Sequence, residues 1–349
     1  MRELLDKRAI KDWFDIAINK GVREVEIFFD VGLNVDVDSS VFQFDHVQVF
    51  KLGTRSSFFH VKLPLSMCSS SSLKTLKLES VALPPCVNTG ELLLNCPMLE
   101  NLFMKDCLQG HLKVFNICSP QLKNLFIENS SNKPWDFAYC KLKICDVKLI
   151  YFEYKGRLYE DCLLQNINPL DNVVLYLSPD ATQQPDSLTK FIGGLSNAKM
   201  LTLKGLQGFP EDPTALESLF TPLSNLRRLK LRSSHENPCI CRMASILKGC
   251  PILETFTWEL INVKVESQIK DNKAEYILPA ECILHHLKFI EVQGFSGHKN
   301  EVEFLIFLLK NAMVLEEMYL DRHTYKTRSK QCTEKLLASV ALSPNAKIV

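Results

Sequence analysis

Apolar residues recur along this chain in threes, the second three places after the first and the third two places later, with polar residues between them. Leu73, Leu76 and Leu78 form one such set. Leu99, Leu102 and Met104 form another, as do Leu122, Leu125 and Ile127; Leu226, Leu229 and Leu231; and Leu315, Met318 and Leu320. The last two positions of each set alternate with polar ones, which is the period of a half-buried strand. Chance supplies some matches when 46% of residues are hydrophobic, but the starts lie 23 to 28 residues apart from Leu73 to Leu99 to Leu122, from Ala198 to Leu226 to Leu253, and from Leu287 to Leu315. A period of ~20–29 residues is that of a leucine-rich repeat, with one strand and one return segment per coil. The pattern therefore predicts an α/β fold, a curved leucine-rich-repeat solenoid with a parallel sheet on its concave face and helices or loops on its convex face.

Around this core pattern the elements vary. Ile10, Trp13, Phe14 and Ala17 sit at helical spacing, and Val22, Val25 and Ile27 begin a strand. The pattern is irregular over 31–57 and 263–281. Glu91 to Pro97 and Met243 to Pro251 read as short helices stopped by proline before the next strand. Both end in the phrase Leu-x-x-Cys-Pro-x-Leu-Glu, at Cys96-Pro97 and at Cys250-Pro251. Tyr151 to Pro169 and Val263 to Glu281 read as loops. Near the end, Cys282 to Val292 predicts a strand, and Gly294 to Gly297 a turn into a helix that Asn300 caps with Glu303 returning the bond. Thr333 to Ala341 reads as an amphipathic helix over the end of the stack. The expected organisation is a solenoid over 1–281 and a terminal repeat with its cap over 282–349.

Side chains alternate along a strand, so the residues between the buried ones face the open side. That side is expected to carry the aromatics Phe103, Phe126, Tyr176, Phe289 and Tyr319, candidate anchors for a protein partner because aromatic residues are enriched where binding energy concentrates. It is also expected to carry Lys204, Arg228, Lys230 and Arg232 as a basic stripe. Such a stripe could hold a phosphate or an acidic peptide through charge-assisted hydrogen bonds, or could be a solvated face whose charges are met by Glu259 or Glu291.

Composition narrows the function. At 349 residues the chain exceeds the ~250–300 at which one compact core stops growing, as repeats allow. With 41 basic and 40 acidic residues and a net charge of +1, nothing favours broad attraction to nucleic acid or membranes. The charged start, Met1 to Arg8, lacks the apolar core of a secretory signal, and the apolar run Phe304 to Leu309 is far shorter than the ~20 residues that span a bilayer. The chain is expected in the cytoplasm or nucleus, where its 13 cysteines stay reduced.

Residues 282–297, Cys-Ile-Leu-His-His-Leu-Lys-Phe-Ile-Glu-Val-Gln-Gly-Phe-Ser-Gly, followed by Glu301, Phe304, Leu308-Leu309, Asn311-Ala312 and Val314-Leu315-Glu316-x-Met318, resemble the FBD domain of plant F-box/leucine-rich-repeat proteins. Trp13-x3-Ala17-x4-Val22-Arg23-Glu24-Val25, the Cys96-Pro97 phrase and Gly194 to Lys199 resemble the repeats of the same family. The resemblance implies a substrate-selecting module whose full-length relatives engage a Skp-type adaptor of a ubiquitin ligase through an amino-terminal F-box. The chain opens where that F-box has ended, with no Leu-Pro-x-x-Leu followed by Ser-x-Arg-Trp, so no adaptor-binding residue transfers.

Other chemistry is poorly supported. His235, Cys239, Cys241 and Cys250 are zinc-ligand types but lack a paired Cys-x-x-Cys knuckle. No phosphate-cradling glycine loop, nucleophile elbow or His-Glu-x-x-His is present, and Ser71-x-x-Lys74 lacks the partners a nucleophilic serine needs. The expectation is a non-enzymatic recognition module with no cofactor and no metal. Its alternative is a small-ligand or phosphate receptor built on the basic stripe.

Overall fold

The computed structural model describes residues 16, 20–29, 46–54, 61–84, 88–107, 112–129, 140–168, 170–234, 240–261, 284–322 and 347–348. The chain forms two compact units. One draws on Met1–Asp171 and Gln183–Gly194, the other on Asn172–Thr182 and Leu195–Val349.

The first unit holds strands β1 (Glu24–Phe29), β2 (Val49–Thr54), β3 (Val61–Lys62), β4 (Thr75–Glu79), β5 (Val81–Ala82), β6 (Glu91–Leu94), β7 (Asn101–Lys105), β8 (Val114–Ile117), β9 (Asn124–Asn129), β10 (Lys141–Cys145), β11 (Tyr151–Gly156) and β12 (Asp161–Gln165). β1, β2, β4, β7, β9 and β11 pair in that order, all parallel, as one strand per coil requires. Register stacks like on like. Phe50, Leu76, Leu102, Leu125 and Phe152 form one buried column, and Leu52, Leu78, Met104, Ile127 and Tyr154 the next. Packing in columns removes each apolar position from water at roughly 25 cal/mol per Å², and explains why the leucine spacing holds while intervening residues vary.

Most return segments described in this unit hold strands. β6, β8, β10 and β12 pair in order as a second parallel sheet, and β3 pairs with β5. This overturns two expectations. Glu91 to Leu94 is a strand, not a helix: Leu92 and Leu94 are buried and Leu93 is exposed, and four residues closing ladder bonds with β8 outweigh the leucines' helix propensity. The expected loop from Tyr151 holds β11 and β12, because Phe152, Tyr154, Cys162 and Leu164 alternate with polar residues at period two. The helix Pro185–Gly193 follows, its Phe191 ring centroid 5.1 Å from that of Tyr154 and 6.0 Å from that of Phe152.

The second unit holds β13 (Asn172–Leu177), β14 (Met200–Lys204), β15 (Arg228–Ser234), β16 (Thr255–Ile261), β17 (Phe289–Phe295), β18 (Glu317–Arg322) and β19 (Lys347–Ile348), again parallel and in chain order. Here the return segments include helices: Pro213–Phe220, Ile240–Lys248 and Lys299–Asn311. Asp212 caps the first of these by accepting from Ala215 N at 2.7 Å. The last begins at Lys299, and Asn300 is not its cap. The buried carboxylate of Glu301 instead accepts from Ser296 N, Ser296 Oγ and Gly297 N at 2.7 to 3.0 Å, while Glu303 pairs with Lys299.

The shared Cys-Pro phrase makes the same tight turn in both settings, Leu99 N bonding to Cys96 O and Leu253 N to Cys250 O. A strand precedes it in one unit and a helix in the other, so the phrase fixes the entry to the next ladder strand and leaves the return segment free. The helix expected over 9–17 lies outside the described residues except for Ile16, and 263–281 and the helix over 333–341 lie wholly outside them.

Candidate functional site

Each unit presents an open ladder face made by the residues that alternate with the buried columns. In the first unit the strands set Phe103 directly beside Phe126, with ring centroids 6.5 Å apart and planes tilted by 39°. Phe103 is exposed and Phe126 half-buried. One row over, Asn124 Nδ2 donates to Asn101 Oδ1 at 2.7 Å and Asn101 Nδ2 to Thr75 Oγ1 at 3.2 Å, a side-chain ladder that spans three coils. On the other side Lys105 pairs with Glu79 at 2.8 Å and Lys155 with Glu128 at 2.6 Å. The Lys105 ammonium is held above its ordinary value, chiefly by the hydrogen bond to Glu79. An aromatic pair is thus flanked by self-satisfied polar rows, the arrangement of an apolar anchor with a polar rim. β11 adds Tyr151, whose hydroxyl donates to Glu153 at 2.5 Å; burial and that carboxylate push the phenol up. Reading 151–169 as a loop hid this pair, although the alternation from Tyr151 to Lys155 was there to be read.

In the second unit, register sorts the open face into three rows across β15, β16 and β17: Arg228, Thr255 and Phe289; Lys230, Thr257 and Glu291; and Arg232, Glu259 and Gln293. β18 continues the first two with Glu317 and Tyr319, and Lys204 on β14 stands opposite Arg232. Tyr176, Phe289 and Tyr319 are exposed.

The basic residues are brought together but not left as an open cationic stripe. Glu259 takes Lys230 at 2.7 Å and Arg232 at 2.5 Å on its two oxygens. Burial works to raise the Glu259 carboxyl, and the hydrogen bonds from Arg232 and Lys230 overcome it, so its value falls below the usual one. Lys230 also reaches Gln293 Oε1 at 3.4 Å, and Gln293 Nε2 donates to Glu291 at 2.8 Å. Arg228, exposed at the strand's start, makes no ion pair among the described residues. Chemically, this face offers one arginine and a neutralised network, a weaker anion site than four converging cations.

His235 and Cys239 lie outside the described residues. Cys250 is buried, its thiol pushed up to about 12 by burial alone. Among the described residues no group of three or more His, Cys, Asp or Glu is arranged to hold a metal ion, and no helix is long and apolar enough to cross a membrane.

Comparison with known proteins adds what geometry alone does not. Residues 2–346 match the leucine-rich-repeat domain described as "At1g61320/AtMIF1, LRR domain". Among curated relatives from Arabidopsis thaliana, an FBD-associated F-box protein, At5g56560, is 25% identical over 94% of this chain and 73% of its own length. An F-box/FBD/LRR-repeat protein, At4g03220, is 22% identical over 70% of this chain and 52% of its own. A second of that name, At4g13965, is 27% identical over 71% and 55% respectively. The chain thus spans from about half to three quarters of the length of the relatives it matches.

Proposed function

The chain belongs to the leucine-rich-repeat family of the At1g61320/AtMIF1 type, and from that premise we propose that it is a non-enzymatic, intracellular protein-recognition module that binds its partner on the open face of its repeat strands. The observation that carries this reading is the Phe103 and Phe126 pair, an aromatic patch held on rigid adjacent strands between polar rows that bond one another. Tyr176, Phe289 and Tyr319 on the second unit are further contacts in the same reading, with the exposed Arg228, which makes no ion pair among the described residues, beside them. The names of the relatives carry F-box and FBD segments, which supports a role like that of the substrate-binding half of a ubiquitin-ligase receptor, with residues 282–349 as the FBD-type segment.

The test is to tag the full chain, purify it from plant cells, and compare what the wild type and Phe103→Ala/Phe126→Ala carry. A partner retained by the wild type and weakened about tenfold or more by the double variant, with unchanged circular dichroism, supports the reading. Equal retention by both removes the aromatic pair as the anchor. Recovery of a Skp-type adaptor and a cullin supports the ligase role; partners without them leave a free-standing module.

A further inference from the structure

Cys118 and Cys145 stand side by side on the outward face of the first unit's second sheet. The register of β8 and β10 ends with Ile117 opposite Ile144, so one further step brings Cys118 beside Cys145. Phe115 and Ile117, like Leu142 and Ile144, are buried, whereas both cysteines fall on the alternate positions and are half-buried. Each thiol donates to a neighbouring amide oxygen, Cys118 Sγ to Asn116 Oδ1 at 3.2 Å and Cys145 Sγ to Gln165 Oε1 at 3.7 Å, so the two are bonded to groups that can release them and not locked away in the core. Neighbouring strands lie ~4.8 Å apart, inside the ~4.4–6.8 Å that Cα atoms span across a disulfide. Cys68, Cys96, Cys107, Cys140, Cys162 and Cys250 are by contrast buried.

We propose that Cys118 and Cys145 are an oxidation site that closes to an intramolecular disulfide on meeting a low-molecular-weight disulfide such as oxidised glutathione. One cysteine loses its proton and its thiolate attacks a glutathione sulfur, forming a mixed disulfide and releasing one glutathione thiolate. The neighbouring cysteine, deprotonated in turn, attacks the protein sulfur of that mixed disulfide and displaces the second glutathione. The two cysteine sulfurs together give up two electrons, the glutathione disulfide accepts them, and both released thiolates take up the protons. The closed bond ties two adjacent coils together. Burial holds both thiols above their ordinary value, with the Asp146 carboxylate adding to it and Lys143 opposing it at Cys145, so closure takes prolonged incubation at about pH 8.

The full chain, incubated with oxidised glutathione, alkylated and digested with trypsin without reduction, is expected to yield Val114–Lys123 linked to Ile144–Lys148. Dithiothreitol should release the two peptides, and neither should carry glutathione. Cys145→Ser should instead leave Cys118 holding glutathione as a stable adduct, because the resolving thiol is gone. A wild-type chain in which either cysteine keeps glutathione, in which both remain free for alkylation, or in which they link to other cysteines overturns the proposal.

Discussion

A Cβ placed on Gly156 would stand 2.0 Å from the carbonyl oxygen of Asn129. The two residues close β11 and β9 opposite each other, and Gly156 has φ +104, a conformation L side chains avoid. Asn129 is buried there because its Nδ2 donates to Tyr154 Oη at 3.2 Å, while that hydroxyl donates to Arg157 O at 2.6 Å. Gly156→Ala combines a strained backbone with a backbone clash, and is expected to cost about 3 kcal/mol or more in urea unfolding. Tyr154→Phe, which keeps the ring and removes the hydroxyl, should cost about 1 kcal/mol. An alanine variant with a wild-type midpoint would show that the two strands part without penalty.

Trp258 fills the second unit's core and directs its one polar atom at a partner. Its Nε1 donates to Ser233 Oγ at 2.9 Å, and its ring meets Phe304 edge-on with centroids 5.3 Å apart. Ser233→Ala strands the indole N–H in an apolar site and should cost about 1–3 kcal/mol. Trp258→Ala opens a cavity as well and should cost about 3–5 kcal/mol. If Ser233→Ala proves neutral in denaturant titration, another acceptor reaches the indole.

Glu259 governs how much positive charge the second unit shows. Its carboxyl sits below the usual value because Arg232 and Lys230 outweigh the cost of burial. A depressed carboxylate contributes its full stability above the unfolded value of about 4.3 and loses it as pH falls through the folded value. The stability gap between wild type and Glu259→Gln should therefore begin to narrow as pH falls below the unfolded value of about 4.3 and go on narrowing in more acid solution, and a gap that does not change with pH would separate the effect from ionisation. At neutral pH Glu259→Gln should expose two cations and tighten binding of an acidic peptide in a salt-dependent way, measurable by fluorescence anisotropy.

The repeat was legible because burial in columns repeats the same demand on every coil: Leu76, Leu102 and Leu125 must each fit the layer before and after. The open face was legible for the same reason, since Phe103 and Phe126 follow from alternation alone. Partnership across strands was legible only as one of two alternatives. The stretch Arg228 to Arg232 left two readings open, an anion site or a face met by Glu259 or Glu291, and only the strand register, which sets Glu259 against both Lys230 and Arg232, decides for the second. The return segments were the least legible, because a short apolar run such as Leu92 to Leu94 suits a helix or a buried strand equally until its hydrogen-bonding neighbour is known.

That ambiguity gives the sharpest test of the first unit. In a strand, Leu92 and Leu94 face the core while Leu93, between them, is exposed. Leu92→Ala and Leu94→Ala should each cost about 2–5 kcal/mol and Leu93→Ala less than about 1 kcal/mol. A helix would bring successive positions round by only 100° and spread the loss over neighbours, with no sharp minimum at the middle residue. Urea midpoints for the three variants distinguish the two: high, low, high in order along the chain is the mark of the second sheet, and a graded series would mean that the return segment of this coil is not a strand.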